Sequence, residues 1–137
     1  RDAYFAQSVR NRLEAAVDTQ LMADAPVGVL LSGGIDSSTN VALMTERLGR
    51  PVDTFTVGFE DHTALNEFAQ AEAVAKHFGA RHHSIAINRA DMENCLDAMI
   101  YHQDEPLADC VCVPLYHVSK LIQDSGMRVV QVGEGAD

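Results

Sequence analysis

Basic residues are scarce in this chain. Ten Lys and Arg stand against twenty Asp and Glu, a formal net charge of −10. A surface of that sign argues against nucleic acid, whose binding usually needs a basic patch. Long apolar runs are missing too. No stretch approaches the roughly 20 residues of a bilayer span, and the chain opens directly on an amphipathic pattern, so neither a membrane segment nor a signal peptide is expected. Cysteine is limited to Cys95, Cys110 and Cys112, an odd number without a Cys-x-x-Cys pair. That usage predicts reduced structural thiols and a cytoplasmic protein. Repeats and low-complexity segments are absent, and an apolar content of 47% with regular periodicity excludes disorder. At 137 residues the chain holds one core and one domain at most.

What is present alternates between helix and strand. Val9, Leu13, Ala16, Val17 and Leu21 space an amphipathic helix over about 4–22, which ends before Asp24-Ala25-Pro26. Val27 to Leu31 is a continuously apolar run after Pro26, the pattern of a strand buried on both faces. A helix over about 37–48 places Val41, Leu43, Met44 and Leu48 inward and stops at Gly49. Asp53 to Val57 predicts a second strand, and Asn66 to Phe78 a helix closed by Gly79, with Phe68, Ala71, Val74, Ala75 and Phe78 inward. In a third strand, His82 to Ile87, Ser84 and Ala86 alternate with Ile85 and Ile87. A helix of about 90–101 follows; Pro114 opens another that Gly126 stops, and Arg128 to Val132 is a fourth strand. This order specifies an α/β fold: a doubly wound, mostly parallel sheet with helices on both faces.

Between the first strand and the helix behind it stands Ser32-Gly33-Gly34-Ile35-Asp36-Ser37-Ser38. A strand, a glycine turn and a helix N-terminus make an anion site, because free backbone N–H groups converge there and the helix dipole adds positive charge. A Walker A loop would need a Lys, and the dinucleotide fingerprint a third glycine; neither occurs. An acid stands there instead. Asp36 among phosphates would be repelled unless a divalent cation lay between them, so it implies Mg²⁺, while Ser32, Ser37 and Ser38 can donate to phosphate oxygens. The bland alternative is a capped Ser-Gly-Gly turn. This residue set resembles the PP-loop of the ATP pyrophosphatases, which bind the β,γ-pyrophosphate of ATP and cleave between the α and β phosphates. The negative charge discounts the tRNA-modifying members of that group, but not ATP.

The fourth strand runs into Gly133-Glu134-Gly135-Ala136-Asp137, a second glycine-rich loop with two acids. Ligands of doubly wound sheets bind at the carboxyl ends of strands where the strand order reverses. Were strands two and three on one side of strand one and strand four on the other, both loops would share one crevice. Asp36 and Asp137 could then hold Mg²⁺ between them. Together the loops are similar to those of glutamine-hydrolysing asparagine synthetases, whose synthetase domain carries Ser-Gly-Gly-Leu-Asp-Ser-Ser and Ser-Gly-Glu-Gly-(Ser/Ala)-Asp. Pro26 to Leu31, Thr54 to Phe59, His82-His83 and Asp104 to Asp109 resemble further segments of the family, so the resemblance covers nearly the whole chain.

That resemblance implies an adenine nucleotide alpha hydrolase-like fold and an ATP-dependent amide ligase. Leu31 and Val57 would touch adenosine through their backbone. Ser32, Gly33, Gly34, Asp36, Ser37 and Ser38 would hold pyrophosphate, with a backbone contact at Val132-Gly133. Asp36 and Asp137 would bind Mg²⁺, and Glu134 would lie near the reacting carboxylate. The implied reaction adenylates the aspartate side chain and displaces AMP with ammonia from glutamine, giving asparagine. Its partners would be these small molecules, a glutaminase domain of the same protein, and a second copy in a homodimer. No glutaminase domain is expected within these residues, and the stop at Asp137, inside a loop motif, predicts a fragment of the synthetase domain. Two departures stand out: Val132, preceded by Gln131, replaces the family's Ser, and Thr19 and Gln20 replace residues that are usually basic. A β-lactam synthetase and a non-catalytic nucleotide-binding module remain as alternatives.

Other polar residues carry blander readings. His82 and His83 are neighbours on a strand and point to opposite faces, so a strand-end role outweighs a shared metal. His102 and His117 read as surface or capping groups, and Asp104, Glu105 and Asp109 as solvated turn acids. Cys110 and Cys112 read as one strand-like face and lack a third ligand for zinc.

Overall fold

A computed structural model describes residues 2–61, 66–105 and 109–133. Four strands form one parallel sheet: β1 (Val27–Leu30), β2 (Asp53–Phe59), β3 (Arg81–Ile87) and β4 (Val129–Gln131), in the order β3-β2-β1-β4. Helices α1 (Asp2–Gln20), α2 (Ile35–Leu48) and α3 (Phe68–Phe78) supply one face. There Val17 of α1, Val41 and Met44 of α2, and Ala71 and Ala75 of α3 bury Val27, Val29 and Leu31. Helices α4 (Arg89–Asn94), α5 (Leu96–Gln103) and α6 (Cys112–Asp124) supply the other. Val118 and Ile122 of α6 pack on Phe55, while Cys95, Met99 and Val113 pack around Ile87. The chain steps outward from β1 to β2 to β3 on the first face, then returns across the second face to β4. The strand order therefore reverses between β1 and β4, where a doubly wound sheet opens its crevice.

Local chemistry explains most boundaries. Gly49 and Gly79 end α2 and α3 in left-handed conformations, their N–H groups bonding back to Thr45 and Ala75. Asn88 and Asp91 form a reciprocal capping box that starts α4. Three expectations need correction. The helix of 90–101 is two helices, because the chain resets at Cys95, which caps the end of α4 and the start of α5. Cys110 and Cys112 do not share a strand face. Asp109 accepts the Val111 N–H on its side chain and the Cys112 N–H on its carbonyl, turning the chain straight into α6. Finally, α1 is helical, yet Val9 (57% exposed) and Leu13 (42%) face outward, and Val17 is its only buried residue. Exposed ion pairs of Arg10 with Glu46, and of Arg47 with Glu14 and Asp18, join it to α2.

Candidate functional site

The sheet hands its chain to the loop in a defined way. Leu31 extends β1 by one bond, donating its N–H to the Phe55 carbonyl at 2.8 Å, and the buried Thr56 hydroxyl donates to the Leu31 carbonyl. β1 then turns away. Phe55 presents its backbone groups to β1, and Val57, two residues further on, has the same orientation by strand alternation. The backbone of Val57 thus looks toward the space that β1 has left, although β2 itself continues to Phe59.

Glycine is required at the turn. Gly33 has φ +87°, and a Cβ there would stand 2.6 Å from the Gln70 Cβ and 2.8 Å from the Ala71 nitrogen. The loop is therefore wedged against the first turn of α3. Gly34 is the N-cap of α2 and offers no side chain, so the helix start lacks a side-chain cap. The Ser32 N–H donates to the Ser37 hydroxyl at 3.2 Å, and the two serine hydroxyls lie 3.1 Å apart. The Gly34 N–H donates to Ser32 Oγ at 3.2 Å, and Ser37 Oγ donates to the Gly34 carbonyl at 3.3 Å. The two hydroxyl-donated contacts, at 3.1 and 3.3 Å, are longer than a good O–H···O bond, and the two N–H bonds sit at the long end of their range, a loose network. Ser38 Oγ is buried and has no partner among the described residues. Asp36 is half-buried in the first turn of α2, where the dipole favours a carboxylate.

The second loop arrives at the same place. A Cβ on Gly133 would stand 2.9 Å from the backbone carbon and oxygen of Asp36. Val132 is half exposed, at 50%. Of the residues expected at the site, Leu31, Ser32, Gly33, Gly34, Asp36, Ser37, Ser38 and Gly133 come together, and Val57 and Val132 border them. Glu134 and Asp137 lie outside the described residues. A donor set of serine hydroxyls, an uncapped helix start and an acid suits phosphate with a divalent cation.

Other candidates fall elsewhere. His82 and His83 sit at the opposite end of the sheet, where His82 Nδ1 meets Thr54 Oγ1 at 2.9 Å and His83 Nε2 meets Asp53 Oδ1 at 3.0 Å. His83 also stacks on Phe55, with centroids 4.9 Å apart. His117 Nε2 lies 3.3 Å from the Asp91 carbonyl, a structural contact. A cavity of about 950 Å³ lies between α5, α6 and β4, lined by Met99, Leu115, Tyr116, Met127 and Val130 among others, and no residue of the Ser32–Ser38 turn lines it. Sequence reasoning missed Thr56, Gln70 and Asn66. Asn66 imitates a strand neighbour: its Oδ1 accepts the Phe59 N–H at 2.6 Å and its Nδ2 donates to the Phe59 carbonyl at 2.5 Å. Its only signal is an Asn shortly ahead of a helix.

The Asparagine synthase family model matches residues 8–137, nearly the whole chain and both loops. The chain belongs to the asparagine synthase family. It is 37% identical over 131 residues to asparagine synthetase [glutamine-hydrolyzing] 1 of Bacillus subtilis, covering 96% of this chain and 20% of that protein. It is 32% identical over 140 residues to asparagine synthetase [glutamine-hydrolyzing] 3 of Arabidopsis thaliana, covering 94% and 24%. The chain thus spans about a fifth to a quarter of the length of these relatives. Among solved structures, an NH3-dependent NAD synthetase from Campylobacter jejuni superposes with a TM-score of 0.58 at 17% identity, covering 92% of this chain and 54% of that one. This likeness shows the fold alone, a parallel sheet flanked by helices.

Proposed function

We propose that this chain is the nucleotide-binding part of an ATP-dependent amide ligase, the first portion of a synthetase domain. The observation that carries the reading is the meeting of the two loops, with Gly133 lying on the Asp36 backbone at the head of α2. In this reading Leu31 and Val57 hold adenosine through their backbone, beside Val132 and Gly133. Ser32, Gly33, Gly34, Ser37 and Ser38 hold the β,γ-pyrophosphate with hydroxyls and N–H groups. Exchange of the loose Ser32–Ser37 contacts for phosphate oxygens costs little, since hydrogen bonds are traded for stronger charge-assisted ones. Asp36 and Asp137 would hold Mg²⁺, which supplies charge neutralisation at the phosphates.

With the pyrophosphate anchored, the α-phosphorus stays open to a carboxylate. The substrate is the aspartate side chain, a poor acyl donor until joined to AMP, and Glu134 would act near it. Ammonia then displaces AMP, and asparagine is the product. A glutaminase domain of the same protein is the ammonia source. The chain's own contribution is positioning and fixed dipoles rather than covalent chemistry. Family membership and two relatives that bear the name asparagine synthetase support this choice of substrate.

Two measurements test it. Asp36→Asn in the full-length protein should weaken Mg²⁺-ATP binding in calorimetry by tenfold or more; unchanged affinity and an unchanged Mg²⁺ requirement would remove Asp36 as a metal ligand. Chromatography of the spent nucleotide should show AMP and pyrophosphate. ADP with phosphate would rule the mechanism out.

A further inference from the structure

Two residues at the end of β2 turn their backbone groups into the space that β1 has left, and one of them is already taken. Leu30 pairs with Phe55, and the Phe55 carbonyl accepts the Leu31 N–H, so Phe55 addresses β1. The next residues in even positions address β3, as the bond from the Glu60 N–H to the Ile87 carbonyl shows. By alternation the N–H and C=O of both Val57 and Phe59 face the β1 side, beyond its last bond. Phe59 is closed. The Asn66 side chain accepts its N–H at 2.6 Å and donates to its carbonyl at 2.5 Å, the double contact that a neighbouring strand would make. Val57 is left between the Leu31 bond and the Asn66 clip, and its N–H and C=O have no partner among the described residues. It is half-buried, where backbone groups are nearly always paired, so the open pair is a place for water or a ligand.

Asn66 is itself held in place. A Cβ imagined on Gly58 would stand 2.7 Å from Asn66 Oδ1 and 2.5 Å from the Phe68 ring, so the start of α3 lies tight against β2. A few residues on, α3 meets the Ser32–Ser38 turn, where a Cβ on Gly33 would stand 2.6 Å from the Gln70 Cβ. The segment from Asn66 to Ala71 therefore reaches from the end of β2 to the glycine turn, one short wall behind both.

We infer that Asn66 is a positioning residue for the nucleobase: it closes the β2 edge at Phe59, holds the strand end in place, and so leaves Val57 as the open donor–acceptor pair. The N–H and C=O of one strand residue lie side by side. They complement a base edge that carries an acceptor next to a donor, as adenine does in N1 and its amino group. Without Asn66 the end of β2 is bonded to β3 alone, an unsupported edge, and the Val57 groups lose their fixed place. Gln70 and Ala71 still back Gly33 in that case, so the glycine turn keeps its shape. The identity of the ligand rests on the proposed function. The clip on Phe59 does not.

Calorimetry on full-length Asn66→Ala with two probes, AMP and inorganic pyrophosphate, tests this. AMP affinity should fall about three- to tenfold, the worth of one net hydrogen bond, while pyrophosphate affinity changes less than about twofold. KM for ATP should rise by the same factor with kcat within about twofold, the pattern of lost uniform binding. Hydrogen exchange at the Phe59 amide should quicken at least about tenfold. Asn66→Asp keeps an acceptor for that amide, so it should keep the protection and regain part of the AMP affinity. Asn66→Ser, too short to reach either Phe59 group, should behave as alanine does and carries the test should the alanine variant not fold. Equal losses for AMP and pyrophosphate, or no loss for either, would make Asn66 a structural clip only and overturn the positioning role. A parent protein with affinity for neither probe would overturn the proposed function, and the assignment to a base with it, leaving only the clip that exchange reports.

Discussion

At the scale of single residues, the two glycines of the loop do different work. Gly33 combines a positive φ with a wall formed by Gln70 and Ala71, so Gly33→Ala strains the backbone and drives a methyl into α3. Gly34 has φ −68°, and the nearest atom to its imagined Cβ is Ser32 Oγ at 3.3 Å. Gly33→Ala should cost about 1–3 kcal/mol in urea denaturation. Gly34→Ala should cost under about 1 kcal/mol, because only a hydroxyl must give way. Equal losses at the two positions would mean that the wedge against α3 is not what fixes the turn. The motif itself was legible in the sequence, since a strand, two glycines and a helix start are local features. The wedge was not, because Gln70 lies 37 residues away and nothing near Gly33 announces it. Thr56 escaped for the same reason: a threonine in a strand signals β-structure, not a donor to another strand's last carbonyl.

Among the elements, the strands and the glycine-capped helix ends were readable, because apolar runs and left-handed glycines act locally. Where tertiary contacts decide, the reading failed. The break at Cys95 leaves no Gly or Pro in the sequence, and the stripe of α1 says it is amphipathic without saying that Val9 and Leu13 stay exposed. The start of the β2–β3 ladder yields a prediction about acid. The Asp53 carboxyl is held below its ordinary value, first by the hydrogen bond from Arg81 and then by that from His83, against the cost of burial. His82 is also held below the ordinary histidine value, chiefly by burial, with Glu72 working against the shift. Both groups bind protons more weakly in the folded state than in the unfolded chain, so both lose stability as pH falls. His82 acts first, below the ordinary histidine value of 6.5, and Asp53 follows below 3.8. Urea midpoints should therefore decline from pH 7 toward pH 5, and His82→Asn should flatten that part of the profile while leaving the steeper fall below pH 4. A profile unchanged by His82→Asn would assign the decline to other groups.

For the whole molecule, the question is how much of a working site these residues hold. The sheet places the β1 loop and the start of the β4 loop side by side at its point of reversal, where the proposed function puts the phosphates. At the loops themselves Ile35 is 81% exposed and Val132 50%. Among the described residues β4 pairs only with β1, and the cavity between α5, α6 and β4 exposes apolar residues such as Leu115. Relatives of the same family are four to five times as long. A phosphate site open to water works in a high dielectric, where fixed dipoles and N–H groups stabilise charge weakly. An acceptor without its own binding groups also forfeits the gain from proximity, which reaches about 7–11 kcal/mol in well-oriented reactions. The 137 residues alone should therefore bind Mg²⁺-ATP weakly and release no aspartate-dependent pyrophosphate. A pyrophosphate assay with ATP, Mg²⁺, aspartate and ammonia checks this against the full-length protein. Comparable turnover would mean that the two loops and the four strands behind them already make a complete active site.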